Sequence, residues 1–274
     1  MNFPFWKMHG ASNDFVLVDD RAQTFPSADA AWIASIGERH TGVGCEGVIL
    51  IQPSRTADFR MRFFNPDGSE VDMCGNGARC VARLAAEIGA APQNMTIETV
   101  AGLLTAAVHA DRVRLGMTEP KDWRIDQNLR VEGKTLPYHF VNSGVPHAVF
   151  FPEDLDRCEV QTLGRAVRYH AAFAPAGTNA NFVRVTGPDA IRVRTYERGV
   201  EAETPACGTG IVASALIAAR TGQVTAPVRV TAASGDVLVV DFQSVPAGMT
   251  NVSLEGPAVH VFQGVLAYKT PAPR

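Results

Sequence analysis

The chain has 274 residues, 46% of them hydrophobic and 19% charged, and a formal net charge of −3. At roughly 100–200 residues per domain this is one large domain or two medium ones, and the composition excludes an intrinsically disordered chain. The weakly acidic balance offers no basic field to nucleic acid or anionic lipid, and no run reaches the roughly 18 apolar residues that span a bilayer.

The opening MNFPFWKMHGASNDF has no charged segment followed by an apolar stretch and a small-residue cleavage site, which argues against secretion and for a cytoplasmic chain. Strands are predicted at FVLVDD (15–20), GVILIQ (47–52), FRMRFF (59–64), TIETVAG (96–102) and LLTAAV (103–108). Each is rich in β-branched or apolar residues and bounded by turn residues. AAWIASIGERH (30–40) reads as an amphipathic helix. A helix is also predicted after Cys74, stopping at Gly89, and another after Cys207, stopping at Gly222. A glycine just past the last turn is the usual helix stop. IVASALIAA (211–219) is apolar all round, so that helix must be enclosed by protein.

These last two segments betray a duplication. CGNGARCVARLAAEIG (74–89) matches CGTGIVASALIAARTG (207–222), with Cys74 and Cys207, Gly75 and Gly208, Gly77 and Gly210, and Gly89 and Gly222 each 133 positions apart. Gly102 and Gly235 keep the same spacing. RMRFFNPDG (60–68) resembles RVRTYERG (192–199) at 132. MHGASNDFVLVDD (8–20) matches VNSGVPHAVFFPED (141–154) at 134, which pairs Gly10 with Gly144 and Asn13 with His147. A near-constant shift at separate places along the chain implies two homologous halves, 1–125 and 126–264, with KDWRIDQNLRVEGK (121–134) at their join and residues near 265–274 free to return to the first. The expected fold class is α+β. Two pseudo-symmetric domains each wrap a mostly antiparallel sheet around a central helix, and the active site lies in the cleft between them.

Five cysteines at Cys45, Cys74, Cys80, Cys158 and Cys207, odd in number and without a Cys-x-x-Cys, read poorly as a disulfide framework or zinc site. Cys45, Cys80 and Cys158 read as buried small hydrophobes. Cys74 and Cys207 differ, because each precedes a buried helix whose first N–H groups lack intrahelical partners and carry partial positive charge. Such an end is expected to depress a thiol pKa, and the glycines at 75, 77, 208 and 210 to let an anion approach bare N–H groups. Two such ends about one carboxylate suit inversion of the adjacent carbon, with one thiolate removing the α-proton and the opposite thiol delivering another. A disulfide between the two would be a side reaction that removes both groups.

The motifs MHGASNDFVLVDD, GVGCEGVIL, FFNPDGSEVDMCGNGARC, NSGVPHAVFF, GTNANFV and TYERGVEAETPACGTG resemble, in order, those of the diaminopimelate epimerase family. The resemblance implies a cofactor-independent enzyme, without metal, interconverting LL- and meso-2,6-diaminopimelate in lysine and peptidoglycan precursor synthesis, and working as a homodimer. It makes Cys74 and Cys207 the acid–base thiols, with His147 and Glu197 setting their protonation. Gly75 with Asn76, and Gly208 with Thr209, match the helix ends that bind the reacting carboxylate. Asn13, Asn65, Asn179, Glu197 and Arg198 match groups that hold the polar ends of the substrate. Blander roles stand beside these: Asn13 and Asn65 as turn residues, Glu197 and Arg198 as a charged turn, His147 as a core histidine. The rival enzymes are two-thiol racemases of the proline and hydroxyproline type. A non-catalytic amino acid binding protein is the rival of another class.

Overall fold

The computed structural model describes residues 1–131, 133–246 and 248–269, so the last part of the returning segment expected at 265–274 lies outside the described residues. In chain order the elements begin β1 (Asn2–Gly10), β2 (Asn13–Asp19), α1 (Ala30–Gly37), β3 (Val48–Gln52), β4 (Phe59–Phe64), β5 (Glu70–Val71), α2 (Gly75–Glu87), β6 (Asn94–Thr99), β7 (Gly102–His109) and β8 (Arg112–Gly116). They continue as β9 (Lys121–Val131), β10 (Lys134–Asn142), β11 (Pro146–Phe150), α3 (Val160–Arg168), β12 (Asn179–Gly187), β13 (Ala190–Glu197), β14 (Ala202–Thr204) and α4 (Gly208–Arg220). The chain closes through β15 (Val228–Thr231), β16 (Val237–Val245), β17 (Gly248–Pro257) and β18 (Val259–Ala267). No helix among the described residues is long and apolar enough to cross a membrane.

Two compact units result, one from Met1–Leu115 with the segment that begins at Gly256, the other from Gly116–Glu255. In the first unit β1 pairs antiparallel with β18 and β2, β2 runs parallel to β3, and β3 pairs antiparallel with β4. Strand β4 then takes β5 antiparallel and β6 parallel, and β6–β7–β8 is an antiparallel meander. The second unit repeats this order. There β10 pairs with β9 and β11, β11 runs parallel to β12, and β12 pairs with β13. Strand β13 takes β14 antiparallel and β15 parallel, and β15–β16–β17 is the meander. Both units are α+β, with mixed but mostly antiparallel sheets.

The stretch 121–134, expected only as a join, contains β9, a full strand paired along β10. It alternates exposed and half-buried residues until Leu129 and Val131, which are buried. Strand β18 fills the matching place in the first unit, beside β1. The chain thus crosses between units twice, and each repeat gives up its ninth strand to the other unit.

Within each unit one helix is enclosed by the sheet. Helix α2 touches β1, β2, β3, β4 and β7, and α4 touches β10, β11, β12, β13, β15 and β16. Gly210 through Ala218 of α4 are all buried, as its all-round apolar sequence requires. Both helices stop the same way. Gly89 and Gly222 take φ of +66° and +74°, and Ala90 and Gln223 donate back to the carbonyls of Ala85 and Ala218. This wrap satisfies carbonyls the helix end leaves free, and its left-handed residue favours glycine. On the outer face of each sheet sits a second layer. Ile33 and Ile36 of α1, capped by Asp29 accepting from the Trp32 N–H, pack on Val16, Val18, Val48 and Leu50. Helix α3 packs Val160 and Val167 on Phe150, Ala180 and Phe182. Alternation along a strand then turns Phe15, Ile49, His147 and Asn181 to the opposite face.

Candidate active site

Cys74 and Cys207 each occupy the N-cap of the central helix in their unit, with extended backbone at φ −134° and −112°. The thiols therefore stand where the sheet-derived chain turns into the helix, beside N–H groups without intrahelical partners.

In the first unit Cys74 is half-buried, and its Sγ lies 3.7 Å from Asn13 Oδ1. That oxygen also accepts from Asn76 Nδ2 at 3.3 Å, and Asn76 Oδ1 accepts from the guanidinium of Arg79 at 2.7 Å. Arg79 is fully buried and donates to the Pro257 carbonyl as well. Asn13, Asn76 and Cys74 thus form one cluster, ordered from beneath by a buried arginine that sequence reasoning passed over. Asn65 sits in the turn between β4 and β5, its N–H donating to Ser69 O and its carbonyl accepting from Gly68 N.

In the second unit Cys207 is buried. Its Sγ lies 3.7 Å from Thr209 Oγ1 and hydrogen-bonds with Glu197, which also accepts from Thr204 Oγ1 at 2.8 Å. Burial pushes the Glu197 carboxyl above the ordinary range. The expectation of a depressed thiol pKa fails at Cys207. Burial and the neighbouring Glu197 charge drive it well above the usual value, outweighing the Gly210 N–H and the Thr209 hydroxyl. Desolvation penalises a thiolate here more than one helix end favours it.

Asn179 is buried and braced at both ends, its Nδ2 donating to Pro146 O at 2.9 Å and its Oδ1 accepting from the Arg198 N–H at 2.8 Å. Arg198 is half-buried, donates to Ala176 O at 3.1 Å, and makes no ion pair among the described residues. The Ser143 hydroxyl, fully buried and unremarked in the sequence, donates to the Thr209 carbonyl at 2.9 Å and fixes the first turn of α4. His147 is fully buried, and burial holds its pKa down at about 3, so the ring is neutral.

The four glycines divide into two pairs. A Cβ at Gly75 would meet nothing within 4 Å, and one at Gly208 would meet only Leu254 Cδ2 at 3.4 Å. A Cβ at Gly77 would lie 2.7 Å from Ile49 Cδ1, and one at Gly210 only 2.4 Å from Asn181 Oδ1. Only Gly75 and Gly208 leave the helix ends open. Gly77 and Gly210 serve core packing, against the expectation that all four admit a ligand.

Two of the other cysteines are buried as expected. Cys80 is fully buried, with burial pushing its thiol up to about 12, and Cys45 is buried and raised likewise. Cys158, expected to be buried, is only half-buried, packed at the margin of the second unit's outer core, and all five cysteines are free thiols. Among the described residues no cluster of His, Cys, Asp and Glu could hold a metal ion.

The duplicated α+β fold recurs in solved structures. A phenazine biosynthesis protein of the PhzF family from Bacillus anthracis matches at TM-score 0.72 and 16% identity, covering 98% of this chain and 100% of that one. A probable proline racemase from Agrobacterium radiobacter matches at TM-score 0.67 and 17% identity, covering 98% and 93%. Sequence narrows this further. The diaminopimelate epimerase family model matches residues 5–123 and 139–261, and a diaminopimelate epimerase from Aquifex aeolicus is 42% identical over 275 residues, 96% of this chain and 97% of the relative. The chain belongs to the diaminopimelate epimerase family.

Proposed function

We propose that the protein is a cofactor-independent isomerase that interconverts LL- and meso-2,6-diaminopimelate, with Cys74 and Cys207 acting on opposite faces of one α-carbon. The observation that carries this reading is the repeated N-cap cysteine, one at the open end of the central helix in each unit. One sulfur, as thiolate, takes the α-proton. The developing enolate charge is held by the N–H groups of Gly75 and Asn76 and of Gly208 and Thr209. The other sulfur, as thiol, gives its proton to the opposite face, and the two exchange roles in reverse. Two halves of like geometry serve a reaction that runs from either hand.

Glu197 is the base that takes the Cys207 proton, supported by their hydrogen bond and by its raised pKa. His147 is the polar partner at the reacting centre. Arg198, without a carboxylate partner among the described residues, is assigned the distal carboxylate of the substrate, with Asn13, Asn65 and Asn179 ordering the remaining polar groups. The protein is further assigned to the cytoplasm, as a homodimer, and to lysine and peptidoglycan precursor synthesis on the family resemblance. The rival proline-type racemase shares the fold at 17% identity, which carries architecture alone. A compact monocarboxylate would leave Arg198 unpaired. Incubation with LL-diaminopimelate and with L-proline in deuterated water separates the readings. Deuterium at the α-carbon of diaminopimelate alone supports the proposal, and deuterium in proline alone defeats it.

A further inference from the structure

The duplication provides an internal control for the surroundings of His147. Strand register sets the equivalences. Val48 faces Phe64 and Ile49 faces Phe63 across β3–β4, as Ala180 faces Tyr196 and Asn181 faces Thr195 across β12–β13. In the parallel pairs Val16 faces Val48 as Ala148 faces Ala180. His147 is therefore the counterpart of Phe15, not of Asn13 as the sequence match suggested. The helix glycines agree, since the Cβ absent from Gly77 would strike Ile49 and the one absent from Gly210 would strike Asn181. Where the first unit has Phe15, Ile49 and Phe63, the second has His147, Asn181 and Thr195. The first set is apolar, with Phe15 edge-on to Phe63 at 5.9 Å between centroids. The second is a buried polar chain beneath the N-terminus of α4.

Its hydrogen bonds have one direction. The Ala148 carbonyl can only accept, so the atom 3.1 Å from it is the Asn181 amide nitrogen. That same nitrogen lies 3.0 Å from His147 Nδ1. The amide oxygen accepts from the Thr195 hydroxyl at 3.0 Å, which holds the amide in place, while the Ala148 carbonyl sets which way round it lies. Nδ1 must then be an acceptor, and in a neutral ring the proton is on Nε2. Nε2 is buried and has no hydrogen-bond partner among the described residues. A packing role alone is met by an apolar set, as the first unit demonstrates, whereas an orphaned buried donor costs stability.

We propose that Asn181, held by Thr195, is a positioning residue that locks His147 in its Nε2–H tautomer and so keeps a hydrogen-bond donor ready for an anionic acceptor that arrives with substrate. The role of that donor rests on the epimerase reading, whereas the lock does not. The test is a long-range proton–nitrogen NMR spectrum of the full chain labelled with ¹⁵N-histidine, without substrate, at neutral pH. The His147 ring is assigned by loss of its signals in His147→Gln or, if that fails to fold, His147→Asn. The expected result is an unprotonated Nδ1 and a protonated Nε2. In Asn181→Asp, whose carboxylate accepts, the proton appears on Nδ1. In Asn181→Leu, which removes the donor without adding charge, both tautomers are populated. A wild-type ring protonated on Nδ1, or one averaging between tautomers, overturns the lock. So does a ring unchanged in both folded Asn181 variants. The spectrum needs no turnover, so a failed lock and a failed epimerase reading are told apart by the deuterium assay.

Discussion

The lowered pKa of His147 and the raised pKa of Glu197 are both products of burial, and each has a measurable consequence. His147 titrates near 6.5 when unfolded and at about 3 in the fold. Between those values the unfolded chain binds the extra proton, so stability falls as pH falls through this window. His147→Gln is expected to flatten that part of the urea-midpoint profile, and an unchanged slope contradicts the assignment. Glu197 has the opposite sign. Its folded pKa is raised, so the contribution is full below the ordinary carboxyl value and is lost as pH rises through the folded value. Glu197→Gln should remove this loss in the same measurement. The thiols themselves are tested by Cys74→Ser and Cys207→Ser. A hydroxyl is a far weaker acid, so each should lower epimerisation by about 10²–10⁴-fold. Near-native turnover in either contradicts the two-thiol mechanism.

Each central helix carries an open glycine and a packed one in its first turn. Gly210→Ala puts a methyl 2.4 Å from Asn181 Oδ1 and 3.3 Å from Cys207 Sγ, and should cost about 1–3 kcal/mol by chemical denaturation. Gly75→Ala meets nothing within 4 Å and should stay within about 0.5 kcal/mol. Equal effects would contradict the division. Much at this scale was legible in the residues. Both helices, their N-cap cysteines and their glycine stops follow from Cys-Gly-x-Gly openings and apolar runs. Helix α1 ends at Gly37, short of the 30–40 expected, because the N–H groups of Gly42, Val43 and Gly44 wrap back onto its last carbonyls and Glu38. Strand β6 ends at Thr99 because a turn at 100–101 reverses the chain. Asn181 and Thr195 are not singled out in the sequence, because alternation along GTNANFV and RVRTYERG does not by itself say which face of the strand is enclosed. The matching shift of 132 between RMRFF and RVRTY, extended backward in place of 134, would have set them against Ile49 and Phe63.

At the scale of the whole molecule, the duplication extends to the exchange of strands. Strand β9 leaves the first repeat for the second unit, and β18 returns to the first. KDWRIDQNLRVEGK is expected only as a join, although Trp123, Ile125, Leu129 and Val131 fall on alternate positions of a strand, broken only by Gln127. The return of β18 is testable at Gly264, where a Cβ would lie 2.6 Å from the Phe5 ring. Gly264→Ala should speed amide exchange along β1 and β18 and leave β9 and β10 unchanged. Faster exchange in β9 and β10 would contradict the assignment of β18 to the first unit. The fold brings one thiol from each repeat to the end of a buried helix, and the chemistry proposed for them meets its most direct test in early turnover of LL-diaminopimelate in deuterated water. The account predicts meso product carrying one deuterium at the inverted α-carbon while unreacted substrate keeps its hydrogen. Deuterium entering substrate and product alike from the first turnovers, or inverted product without deuterium, would contradict it.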